Sequence, residues 1–143
     1  MVRILIVDDD PADVELTKRA LRNERGCEVL DVVHDGVEAL SYLRNESPYE
    51  ENPRPDLILL DLNMPRKDGR ETLRDIKADE ALRTIPVIVL TTSDAQPDVI
   101  ASYSLQASCY LTKPTELSQF TEVIGSINNF WLRFVKYPEQ GRS

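Results

Sequence analysis

Cysteine is scarce: Cys27 and Cys109 are the only two among 143 residues, and they stand far apart with no ligand spacing between them. Reduced thiols in a cytoplasmic protein are the plain expectation. Long apolar runs are missing as well. Nothing approaches the roughly 20 residues needed to span a bilayer, and the N-terminus starts as a strand rather than as a signal peptide, so no membrane association is expected. Positive charge is in short supply, 17 Lys plus Arg against 25 Asp plus Glu, and a net charge of -8 repels a phosphate backbone. Nucleic acid is thereby disfavoured as a partner. Glycine-rich phosphate loops are also lacking: no GxxxxGK[ST] occurs, and the segment after the first apolar run is acidic where a dinucleotide fingerprint would be glycine-rich.

What is present is alternation. VRILIV (2–7) is a β-branched apolar run, and DDDPADVELTKRALRNE follows with a helix start in which Asp10 can cap, Pro11 suits the first helical position and Asp13 favours the positive end of the dipole. EVLDVV then reads as a strand and DGVEALSYLRN as a helix, with Val37, Leu40 and Leu43 at helical spacing. After a polar stretch, SPYEENPRP, come the strand DLILL, a helix through GRETLRDIKAD, the strand IPVIVLTT, a short helix PDVIASYSLQ and the brief strand SCYLTKP. Leu117, Phe120, Ile124, Ile127 and Trp131 mark a last helix. Each parallel return needs a crossover, so five strands alternating with five helices predict an α/β fold: a five-stranded parallel, doubly wound sheet in a single domain spanning residues 1–143.

In such sheets ligands collect beyond the carboxyl ends of the strands. Asp8, Asp9 and Asp10 follow the first strand, His34 and Asp35 the second, Asp61 and Asn63 the third, Thr91, Thr92 and Ser93 the fourth, and Lys113 the fifth. Two carboxylates about 4 Å apart repel by roughly 4 kcal/mol at an effective dielectric near 20, so Asp8, Asp9 and Asp61 need an offset. Either a proton is shared or a divalent cation binds, and a hard, oxygen-only cluster suits Mg²⁺ or Mn²⁺. Asp10 is read as a helix cap. Lys113 precedes Pro114, which biases it toward an extended setting from which its ammonium can reach the anions. A carboxylate beside a cation and a lysine can act as a nucleophile toward phosphorus and store the product as an acyl phosphate, and Asp61, ending the central strand, is the best candidate. Other readings fail on particular residues. An FMN site would place its phosphate at the first turn, where three aspartates repel it, and a dehalogenase-type phosphatase wants Asp-x-Asp where this chain has Asp61-Leu62-Asn63. His34, the lone histidine, reads as a loop residue.

The segments IVDDD, LLDLNMPRKDG, VLTTS and YLTKP, taken together and in this order over residues 3–128, resemble the receiver domain of two-component response regulators. The resemblance implies a CheY-like strand order of 2-1-3-4-5. It implies Asp61 as phosphoacceptor from a sensor histidine kinase, and Asp8, Asp9, Asp61 and the backbone carbonyl of Asn63 as ligands of Mg²⁺ or Mn²⁺. By the same resemblance Thr91 and Lys113 bind the phosphoryl group, Tyr110 is an aromatic that rotates in response, and Asn63, Thr92 and Ser93 tune phosphate lifetime. Thr92 stands where a smaller residue is usual, which restricts access to Asp61. No metabolic enzyme is implied, only Mg-dependent self-phosphorylation and self-dephosphorylation.

The polar insert around Ser47–Pro55, the segment SCYLTKPTEL and the tail FWLRFVKYP are similar to a narrower group, the single-domain regulators that pair with phytochrome histidine kinases of bacteria and cyanobacteria. Signalling is then expected through a surface change without an output domain. The alternative is a phosphate sink or relay module with no conformational output. At about residues 129–138 the last helix extends as an apolar segment; Phe130, Trp131, Phe134 and Tyr137 offer more apolar area than one helix face buries on its own sheet, and a homodimer is expected there.

Overall fold

The computed structural model describes residues 2–22, 27–61, 69–91 and 109–112. In chain order they form β1 (Val2–Val7), α1 (Pro11–Arg22), β2 (Cys27–Val33), α2 (Gly36–Leu43), β3 (Leu57–Asp61), α3 (Gly69–Ala78), β4 (Val87–Thr91) and β5 (Cys109–Thr112). All pairings are parallel, and the strands lie in the order β2-β1-β3-β4-β5. The two helices expected after β4 and β5 fall outside the described residues.

Because strand side chains alternate between faces, the apolar runs feed two cores. Leu5, Val7, Ile58, Leu60, Val87 and Val89 turn to one face and pack against Leu40, Tyr42 and Leu43 of α2 and Leu73 and Ile76 of α3. On the other face Ile4, Ile6, Leu57, Leu59 and Ile88 meet Leu21 of α1. Helices therefore cover both faces. The whole of β3 is buried, as a central parallel strand should be, and this fixes the level at which Asp61 emerges.

Val37 shares the helical spacing of α2 but not its burial. It is 43% exposed, whereas Gly36, Ala39, Leu40, Tyr42 and Leu43 are the buried residues of α2. A step of three residues falls about 60° short of a full helical turn, so the 37-40-43 series walks off the buried face at its first member. The polar insert is also more ordered than its composition suggests. Asn45 adopts a left-handed φ of 54° and donates through Nδ2 to the carbonyls of Tyr49 and Asn52 at 3.1 and 2.8 Å. The rings of Tyr42 and Tyr49 meet at a tilt of 53°, their centroids 5.4 Å apart. Arg54 donates to the Ala81 carbonyl at 2.7 Å and to Thr84 Oγ1 at 3.0 Å, tying the insert to the lead into β4.

Burial, then the charge of Asp31, raises Tyr42 above its ordinary pKa of 10.0. The unfolded chain thus ionises this phenol first, and the stability it contributes below pH 10 is lost as pH climbs toward the raised folded value. Lys77 acts oppositely: burial lowers it from 10.5, so the fold is relieved of a desolvated cation as pH rises through its lowered value. Tyr42 also donates to the Pro53 carbonyl at 3.3 Å. Urea unfolding of Tyr42→Phe should show a loss of about 0.5 to 1.5 kcal/mol at pH 7 and a shallower decline than wild type above pH 10.

Candidate functional site

The carboxyl ends of the strands meet at one edge by register. Val7 pairs with Val33 of β2 and with Leu60 of β3, which sets the next residues, Asp8 and Asp61, at one level on adjacent strands. The backbone N–H of Asp8 donates to the Val33 carbonyl at 3.0 Å, carrying the β1 to β2 ladder one residue further. Asp61 is the last residue of β3 rather than the first beyond it, and it stands opposite Leu90 of β4.

Three carboxylates converge here. Asp8, Asp9 and Asp61 each offer an oxygen, and these oxygens all lie within 4.8 Å of one another. Asp8 and Asp61 are 3% and 4% exposed, while Asp9 faces solvent. Asp8 Oδ1 accepts the backbone N–H of Asp10 at 3.0 Å. At this spacing, each ionised pair repels by about 3 to 4 kcal/mol at an effective dielectric near 20. A donor set made only of carboxylate oxygens, two of them withdrawn from water, fits a hard divalent cation such as Mg²⁺ or Mn²⁺.

Asp10 behaves as a cap. Its Oδ1 accepts the N–H of Ala12 at 2.9 Å, its carbonyl accepts the N–H of Val14 at 3.0 Å, and it is not part of the trio. His34 is exposed and is bracketed by Glu38 Oε1, which lies 3.2 Å from both its backbone nitrogen and its Nδ1. Asp35 caps α2 by accepting from the N–H of Glu38 at 2.9 Å. The three-residue spacing of Asp35 and Glu38 is the sequence signal for that cap.

Thr91 ends β4 opposite Thr112, the residue just before Lys113, and Tyr110 lies in β5 opposite Val89. The backbone thus brings Thr91 to the same sheet edge as Asp61. The side chains of Thr91 and Tyr110, and residues Asn63, Thr92, Ser93, Lys113, Phe130, Trp131, Phe134 and Tyr137, lie outside what the structure describes. Among the described residues, no helix is long and apolar enough to cross a membrane.

A family model for the response regulator receiver domain matches residues 4–125. The chain belongs to the response regulator receiver domain family. The chain is similar to Response regulator Rcp1 of Synechocystis sp., 46% identical over 135 residues that make up 94% of this chain and 92% of Rcp1. The crystal structure of the phosphorylated cyanobacterial phytochrome response regulator RcpA superposes with a TM-score of 0.82 at 48% identity, covering 92% of this receiver domain and 94% of that chain. The Mn²⁺-bound form of Rcp1 gives a TM-score of 0.81 at 45% identity, covering 94% and 97%.

Proposed function

We propose that this chain, as one receiver domain over residues 1–143, accepts a phosphoryl group on Asp61 from the phosphohistidine of a phytochrome-type sensor histidine kinase. The observation that carries the reading is the buried carboxylate of Asp61 within 4.8 Å of Asp8 and Asp9. An Asp61 oxygen attacks phosphorus, the phosphorus to nitrogen bond of the donor breaks, the departing imidazole nitrogen takes a proton from solvent, and an acyl phosphate remains. Asp8, Asp9, Asp61 and the backbone carbonyl of Asn63 are the residues that would hold Mg²⁺ or Mn²⁺. Such a cation offsets the clustered negative charge and that of the incoming phosphoryl oxygens.

The Thr91 hydroxyl and the Lys113 ammonium then bind the new dianion, and Tyr110 rotates in step. Moving a two-state equilibrium from mostly off to mostly on takes about 5.5 kcal/mol, within reach of several charge-assisted hydrogen bonds to a phosphoryl group. Asn63, Thr92 and Ser93 tune its lifetime. The complete sheet is doubly wound, with two more helices beyond β4 and β5. The message leaves as a changed surface, and Phe130, Trp131, Phe134 and Tyr137 on the apolar extension at 129–138 form a homodimer contact in the cytoplasm. The phytochrome pairing is supported by the likeness to Rcp1 and RcpA over nearly the whole of each chain.

Mixing the chain with a radiolabelled, autophosphorylated phytochrome-type histidine kinase and Mg²⁺ tests the pairing. Label is expected to move to the regulator. Label retained on the kinase would overturn the pairing.

A further inference from the structure

Asp10 is the third of three consecutive acids, yet it is spent on the start of α1. Its Oδ1 accepts from Ala12 N–H at 2.9 Å and its carbonyl from Val14 N–H at 3.0 Å, which together hold it in the N-cap conformation. Held in this way, Asp10 presents its own backbone N–H to Asp8 Oδ1 at 3.0 Å. Asp8 is almost fully buried, and its backbone N–H is fixed from the other side by the Val33 carbonyl. The buried carboxylate thus accepts a main-chain N–H that the cap aims, on a backbone held in place by β2.

We infer that Asp10 is a positioning residue for the metal centre: its side chain, through the cap, sets the N–H that orients the Asp8 carboxylate toward the cation. This rests on the metal reading proposed above. A competing contribution is the negative charge of Asp10, which would attract a nearby cation whatever the cap does. The two separate cleanly, because asparagine keeps the Oδ1 acceptor and removes the charge.

The test is Mn²⁺ titration of the full chain without phosphoryl donor, followed by the electron paramagnetic resonance signal of free Mn²⁺. Loss of an outer-shell partner of a ligand typically costs 10- to 100-fold in metal affinity, so Asp10→Ala should bind about tenfold more weakly, with Asp10→Asn within about twofold of wild type. Asp10→Gly, which lacks the acceptor but is well tolerated at a cap, should bind as weakly as Asp10→Ala and serves if the alanine variant does not fold. Arg54→Ala, which loses its hydrogen bonds near Ala81 and Thr84 at the opposite end of β3, should leave Mn²⁺ affinity unchanged. Asp10→Asn as weak as Asp10→Ala would assign the effect to charge and overturn the inference. So would wild-type affinity in Asp10→Ala and Asp10→Gly, or equal weakening in Arg54→Ala. A wild type that takes up no Mn²⁺ would overturn the metal centre itself, and the inference with it.

Discussion

Incubated with Mg²⁺ and acetyl phosphate, the wild-type chain is expected to gain about 80 Da by intact mass, and Asp61→Asn nothing. The amide matches the carboxylate in shape, so the buried end of β3 keeps its packing. It does not supply the anionic oxygen that attacks phosphorus. Asp61 is favoured over its neighbours because it ends the fully buried central strand and adjoins both Asp8 and Asp9. An adduct that persists on Asp61→Asn would move the acceptor to another residue and sink the assignment. A wild type that takes label from a kinase but not from acetyl phosphate would instead locate the restriction at access of the small donor and leave Asp61 as the acceptor. Size-exclusion mass read in parallel separates a switch from a sink: a changed oligomer on phosphorylation is expected of the switch.

The second expectation concerns stability and changes sign with the metal. In EDTA, Asp8→Asn should be more stable than wild type by about 1 to 3 kcal/mol, since it removes one member of a repelling trio while leaving an Oδ1 that accepts the Asp10 N–H. With Mg²⁺ the order should reverse. At a hundredfold excess over its dissociation constant a ligand that binds only the folded state adds about 2.7 kcal/mol, an increment wild type gains and Asp8→Asn largely forgoes. Urea midpoints with and without Mg²⁺ read both signs at once. An asparagine variant less stable in EDTA would mean that the carboxylates are already compensated without metal.

The acidic cluster was legible because its logic is local: apolar runs end at Val7 and Leu60, and the next residues are acids. Asp10 as a cap was legible for the same reason, through the Pro11 that follows it. The extent of the strands was less so. Asp61 belongs to β3 because its backbone still pairs across the sheet, opposite Leu90. No composition marks that. The spacing of Val37, Leu40 and Leu43 marked α2 but not its buried face, because a three-residue step drifts around a helix. The insert at 47–55 read as polar loop because what orders it, Arg54 on Thr84 and Tyr42 on Pro53, joins positions distant in sequence or hidden in backbone geometry. The link from Asp10 N–H to Asp8 Oδ1 is an Asx turn, which the aspartate at position 8 permits but does not by itself dictate.

Arg3 and Asp56 clasp the entries of β1 and β3: the Arg3 N–H donates to Asp56 Oδ2 at 2.9 Å and the Asp56 N–H to the Arg3 carbonyl at 2.8 Å, across 53 positions of chain. The site at the far end of these same two strands does not exist until that long loop has closed. Closing it is slow relative to local helix formation, so the carboxylates meet late on the folding path. A cation that recognises the assembled trio then acts mainly on the finished molecule, slowing its escape to the unfolded ensemble while doing little to hasten its arrival.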